Sequence, residues 1–399
     1  MSTRRVLALL GVLAVLAAAG CDPAPRREVA AAPVNPGWRP LVLPAPPGPP
    51  GRALLRDATA CAGRWYAVGG LADTAGGTRP AAWSSLDGTT WTALPIAADS
   101  FYGRQNVLYA AGCRDGVLAA IGAKVGGAHG YPRVSTWRQR ADGGLVEVSA
   151  SFETYGGPKA VNVSRLAGGP RGWLIVGNRS SGAAAWVSPD AADFALVEGA
   201  PELAGDGRGA TWAFDAVGVP EGWLAVGGVL PAGRIDRDPA VWSSADGRSW
   251  RRAVLPGTER YEEAQRVALL DGVPVAVGLR GDGFGAWRRT GDDWVAAGGF
   301  AGAAAGVGSG VRAAGAPSVD GLVAAGSRLL AAVSDGAARS VWTSTDRGDS
   351  WQPVALPLPV AAGAQRDVAV LAVGERSWLF ADDGERSAVW SGSVSGVPR

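Results

Sequence analysis

Histidine occurs once in the 399 residues, at position 129, methionine occurs once, and lysine occurs only at Lys124 and Lys159. A lone histidine removes the His-dependent catalytic triads unless His129 itself serves. It lies in a glycine-rich stretch with no marked serine or cysteine partner. The three cysteines lack the paired Cys/His spacing of a zinc site, and no P-loop is present. The apolar run over residues 6–19 has 14 members, too short to span a bilayer comfortably. No segment carries an apolar 3.6-residue period over more than two turns with helix caps, which argues against a TIM barrel. Charge of neither sign dominates: 38 basic residues face 36 acidic ones, so nothing pulls the chain as a whole toward nucleic acid. All but two of the basic residues are arginine, in a chain rich in alanine and glycine, so arginine counts alone carry little functional weight.

What is abundant is equally specific. Sixty glycines, 27 prolines and 17 tryptophans with 47% apolar residues indicate many turns between many short strands, not disorder. A unit recurs. Its first mark is an apolar–Ala–Val–Gly strand, as in WYAVGG at Trp65, WLIVG at Trp173 and WLAVGG at Trp223. Its second is a strand built on tryptophan: Trp83, Trp137, Trp186, Trp242, Trp287, Trp342 and Trp390. These are spaced 54, 49, 56, 45, 55 and 48 residues apart, and seven units of that size match the blades of a β-propeller. So many strands also rule out an eight-stranded barrel.

A tight turn follows the second mark. Two copies read Ser-x-Asp-Gly-x-x-Trp, with Asp87 and Trp91 in one and Asp246 and Trp250 in the other. A third has the full Ser-x-Asp-x-Gly-x-x-Trp form, with Asp346, Gly348 and Trp351. This pattern resembles the Asp-box, or BNR, repeat of sialidase-like propellers. The aspartate accepts backbone N–H groups a few residues on, glycine supplies the positive φ, and tryptophan covers the hairpin end. The resemblance implies a structural role on the outer rim for these residues.

WRPLVLP, at residues 38–44, copies the outer-strand segments WRRAVLP at Trp250 and WQPVALP at Trp351. Six units own such an outer strand; the seventh runs out at AVWSGSVSGVPR. The expected fold is therefore all-β: a seven-bladed β-propeller of four-stranded antiparallel blades over residues 37–399. The N-terminal strand at residues 38–43 completes the last blade, so its sheet is not left short of a strand.

Before the propeller, Arg4 and Arg5 precede the apolar run, and AAGC ends it at Cys21. Residues 1–21 resemble a bacterial signal peptide with a lipobox-like end, although alanine stands where leucine is usual. That implies export, a lipid anchor on Cys21 at the outer face of the cell membrane, and a Pro/Ala-rich tether over residues 22–36. The alternative is an ordinary signal peptide and secretion. In an exported chain the two remaining thiols, Cys61 and Cys113, invite a disulfide; otherwise they are small buried apolar residues.

Loops between second and third strands, and links between blades, share the face opposite the Ser-x-Asp turns. They are longer and more varied, and such loops commonly bind. The candidate ligand residues there are Arg79, Tyr102, Arg104, Tyr131, Arg133, Tyr155, Arg237 and Tyr261. One arginine occurs in each second-to-third-strand loop, as an anion site would need, but chance supplies about as many. Asp57, Asn106, Asn162, Asp215, Asp320 and Asp367 open the inner strands and read as hydrated channel-mouth groups. No metal, cofactor or catalytic residue is assigned. The sialidase-like resemblance implies a Tyr/Phe-Arg-Ile-Pro motif near the first inner strand, where only Arg56 matches. The reading is a monomeric, non-catalytic binding or scaffold propeller for a protein or cell-envelope glycan. A sialidase-like or other glycoside hydrolase is the alternative, and an assembly factor for an envelope or membrane complex a weaker one.

Overall fold

The computed structural model describes residues 32–126, 132–302, 315–363 and 366–394. Cys21, the signal segment, His129 and Tyr131 lie outside the described residues.

Seven antiparallel sheets form the blades of a propeller. Their inner strands, in chain order, are Arg52–Cys61, Val107–Arg114, Ala160–Gly169, Gly209–Val219, Glu262–Leu270, Ser318–Ala325 and Asp367–Val373. The seventh blade takes its outer strand from the N-terminus: Arg39–Leu41 pairs with Ser387–Ser393, placing Arg39 opposite Ser391, Pro40 opposite Trp390 and Leu41 opposite Val389. Pairing thus covers three of the six residues expected. Additional bonds begin further upstream. The Val34 N–H donates to the Pro353 carbonyl at 2.8 Å and the Ser393 N–H to the Pro36 carbonyl at 2.9 Å. Residues 34–36, read from the sequence as the end of a tether, lie along blades six and seven.

The apolar core sits in the seams between blades. There are seven clusters of buried residues among the described residues, one for each pair of neighbouring blades. Second strands are covered on both sides, which explains their unbroken apolar character; all eight residues of Gly172–Arg179 are buried. The glycine that ends the Ala–Val–Gly motif has its own cause. A Cβ on Gly69 would lie 1.7 Å from the Leu54 carbonyl oxygen, and one on Gly227 1.8 Å from that of Trp212. Both carbonyls adjoin a β-bulge in the inner strand, between Leu55 and Asp57 and between Ala213 and Asp215. In these two blades the bulge re-aims one side chain toward the channel, Arg56 and Phe214.

The repeated tryptophans fasten the links. Indole Nε1 of Trp83 donates to Pro44 O, of Trp186 to Thr154 O, of Trp242 to Glu202 O and of Trp287 to Pro256 O, at 2.6–2.8 Å. Each acceptor belongs to the link entering that blade. At the opposite end, Asp87 Oδ1 accepts the N–H groups of Thr89 and Thr90 at 2.7 Å, and Asp246 Oδ1 those of Arg248 and Ser249. In the longer turn Asp346 Oδ1 accepts Ser350 N–H at 2.9 Å, and the extra residue, Arg347, takes a φ of 59°. Cys61 and Cys113 form a disulfide between the inner strands of blades one and two, with Cα atoms 5.3 Å apart.

Candidate functional site

The link from blade one to blade two is held from beneath by Glu147. Its Oε2 accepts the N–H groups of Asp99 and Ser100 at 2.8 Å, and its Oε1 accepts the hydroxyls of Ser100 and Ser135. Burial alone raises the Glu147 pKa, but these bonds outweigh it and the carboxyl stays below its usual range. The link so fixed presents Tyr102. The next link forms one helical turn, Phe152–Tyr155, tied down by the Trp186 indole. It presents Phe152, 58% exposed, while Tyr155 is buried against Trp186.

Arg133, opening the third strand of blade two, lies between these links. Its guanidinium carbon is 4.8 Å from the Phe152 ring centre and 5.5 Å from that of Tyr102. Among the described residues it has no ion pair, and its buried Nε has no hydrogen-bond partner. Two clefts of about 610 Å³ each meet at this arginine. One is lined by Asp99, Ser100, Ser149 and Ser151; the other by Val107, Tyr109, Ala123, Val125, Val161 and Val163.

Three nominated residues, Tyr102, Arg133 and Tyr155, therefore come together. Others are engaged elsewhere. Arg79 donates to Pro49 O at 2.7 Å and Arg104 to Asp99 O at 2.6 Å. Arg237 stacks on Trp212 and bonds Glu263 Oε2 at 2.6 Å, and the Tyr261 hydroxyl donates to the same oxygen at 2.8 Å. Burial, followed by the adjacent Glu263 charge, pushes the Tyr261 hydroxyl up to about 12. The arginines in the corresponding loops of the other blades do not converge on one anion. Arg179 pairs with Glu198, Arg280 with Glu262, Arg339 with Asp320, and Arg386 with Asp383. Phe152, Val125 and Val161 are absent from the sequence-derived set, because their one signal is apolar character, in a link, in a second-to-third-strand loop and at the start of an inner strand respectively.

The central channel contains a cavity of about 300 Å³ lined by Arg56, Arg165, Arg266, Arg339, Asp320 and Asp367, with Tyr109, Ser164 and Phe214. Its charges are largely spent on each other. Arg165 bonds Asp57 at 3.0 Å, Arg56 bonds the fully buried Asp382 at 2.7 Å, and Arg339 bonds Asp320 and lies 3.5 Å from Asp367. Asp57 and Asp215 also accept backbone N–H groups of the following blade, from Ala111 and Val267. Asn106 and Asn162 bond within the blade framework instead, to Tyr102 O and to Asn178. The Tyr109 hydroxyl donates to Val163 O at 2.8 Å, not to a carboxylate.

No protein-family model matches the chain, and no curated protein matches it significantly. Solved structures similar to it include the β-propeller domain of the Trilobed protease from Pyrococcus furiosus, described as having an open velcro topology. The TM-score is 0.47 at 10% identity, over 86% of this chain and 96% of that one. A Hadza microbial sialidase gives 0.45 at 11% identity over 86% and 66%. A structure described for glycoside hydrolases that target mannosidic linkages in Candida mannan gives 0.34 at 9% identity over 57% and 80%. Likenesses at these identities concern the fold alone.

Proposed function

We propose that this chain is a non-catalytic binding propeller of the bacterial cell envelope, taking a protein or envelope glycan at the junction of the two clefts. The observation that carries the reading is Arg133: a cation without a carboxylate partner among the described residues, held between two exposed rings. Such a group is prepared for an external partner. The Ser-x-Asp turns, with the hydrogen bonds of Asp-boxes, support a scaffold role at the opposite face. The lipid anchor on Cys21, export and a monomeric state belong to the same proposal.

A glycoside hydrolase needs two carboxylates free to act on one bond. No carboxylate lines the apolar cleft; in the other, Glu147 already accepts four hydrogen bonds, which leaves Asp99 without a second free carboxylate to work with. In the channel, arginines converge near Tyr109, but they are spent on aspartates and backbone carbonyls. This arrangement supports binding over hydrolysis.

The test combines a glycan array and an envelope pull-down using the purified chain, with Arg133→Gln beside it. Binding that Arg133→Gln weakens, with no glycosidase turnover on sialoside or mannoside substrates, is expected. Turnover that survives purification, or ligand capture indifferent to Arg133, would sink the reading. Labelling with a radioactive fatty acid, lost in Cys21→Ala, checks the anchor.

A further inference from the structure

We infer that the Arg133 site takes an extended peptide segment in which an acidic side chain lies beside a bulky apolar one, a choice of ligand that rests on the binding reading above. The apolar residue enters the Val107–Val161 cleft, the carboxylate meets Arg133, and the chain leaves along the serine-lined cleft.

The first reason is the lining of the apolar cleft. Its charged members are Arg133 and Arg56, and Arg56 is spent on Leu55 O and Asp382. A sugar placed there would give up water bonds to its hydroxyls with few groups to replace them. An aliphatic or aromatic side chain gives up nothing of the kind. Val125, Phe152 and Val161, at 73%, 58% and 47% exposed, form an apolar rim of the sort that marks a protein contact.

The second reason is the presentation of the arginine. The Tyr102 and Phe152 rings lie within cation–π distance of its guanidinium. The N–H groups on its edge are then the free recognition surface, and their fork matches a carboxylate. Lys124, beside Val125 in the chain, adds positive charge near the same cleft, whereas Lys159, beside Pro158, is paired with Glu198 at 3.0 Å.

The third reason is that Arg133 stands where two clefts meet, not at the end of one. A ligand bonded there has room on either side, which suits an internal Asp or Glu better than a C-terminal carboxylate.

The probe is a pool of peptides, acetylated and amidated at their ends, carrying Glu next to Phe or Leu among serines and glycines. Fluorescence anisotropy with the full chain should show saturable binding. Arg133→Gln, or Gln for Glu in the peptide, should each weaken it by about tenfold or more, the second change adding little once the first is made. Val161→Glu, on the exposed rim, should abolish it without touching the fold, and Arg386→Gln on another blade should leave it unchanged. If oligosaccharides bind in an Arg133-dependent way and the peptides do not, the peptide assignment falls and the site remains. If the peptides bind equally well to Arg133→Gln and Val161→Glu, both fall. Binding that requires a free C-terminus, or that tolerates Gln for Glu, overturns the side-chain carboxylate. No binding of any peptide overturns the inference outright.

Discussion

The indole of Trp378, in the seventh blade, donates its Nε1 hydrogen at 2.6 Å to the carbonyl of Gly88, in the Ser-x-Asp turn of the first. The two residues are 290 positions apart and meet across the seam where the ring closes. A turn that looks local in sequence is therefore also a joint between blades.

Gly88 is expected to be the most sensitive point of that joint. Its φ is +69°, and a Cβ would lie 2.2 Å from Trp378 Cζ2. Gly88→Ala should cost about 2–4 kcal/mol through the clash and the backbone strain together. Gly63, with φ +75° and nothing within 4 Å of its would-be Cβ, isolates the strain. Gly63→Ala should cost only about 1 kcal/mol. Chemical denaturation of the two variants checks the difference; equal losses would show that the indole yields freely.

The disulfide offers a second test. Cys61 and Cys113 are 52 residues apart, so the bond restricts a long loop of the unfolded chain. Replacing both by alanine should lower stability by about 2–4 kcal/mol under non-reducing conditions. A reductant should lower the parent protein toward the same value and leave the variant unchanged. If the reductant moves both alike, stability does not come from the bond.

How much of this is legible in the sequence differs by residue. The outer strand of blade seven is legible, because WRPLVLP copies segments whose place in their own units is clear. The Asp87, Asp246 and Asp346 turns are legible, because a carboxylate one or two residues before the glycine of a tight bend is placed to accept the backbone N–H groups that follow. The channel is legible in part. Asp320 and Asp367 reach it, whereas Asn106 and Asn162 are drawn into side-chain bonds with Trp137 and Asn178 that no local pattern announces. The clefts are the least legible. Arg133 differs from Arg79 or Arg237 only in what the fold places beside it: two rings and no carboxylate partner among the described residues for Arg133, proline carbonyls for Arg79, and two rings with Glu263 for Arg237.

The channel should impose a pH dependence on stability. Burial, then repulsion from Asp320, pushes the Asp367 carboxyl up to about 6, against the attraction of Arg339, Arg56 and Arg165. In the unfolded chain the group titrates near 3.8. Between those values the native state holds the more protons, so this group's contribution is greatest below the lower value and is lost as pH rises through 6. The Asp367 side chain keeps 23% exposure, so solvent limits the effect to about 2 kcal/mol. The gain in stability from pH 7.5 to pH 5 should accordingly be larger in the parent than in Asp367→Asn. A variant with the same pH profile as the parent would place the titration elsewhere.

Ring closure is the remaining test. Trp38, half-buried, donates its Nε1 hydrogen to Ala355 O at 2.7 Å, while Arg39–Leu41 pairs with the third strand of blade seven. One segment thus ties blade six to blade seven and, through the Trp83 bond to Pro44, blade seven to blade one. Trp38→Ala should cost about 2–3 kcal/mol by loss of buried ring and bond. Removing residues 1–43 should do more, since Val389 and Trp390 lose their strand neighbour and the seventh sheet gains an exposed edge. A synthetic peptide of residues 32–43 added to the truncated chain should restore melting temperature in proportion to the logarithm of its concentration once it saturates. A truncated chain that melts where the parent does, with or without the peptide, would mean that the ring is held closed by its seams alone.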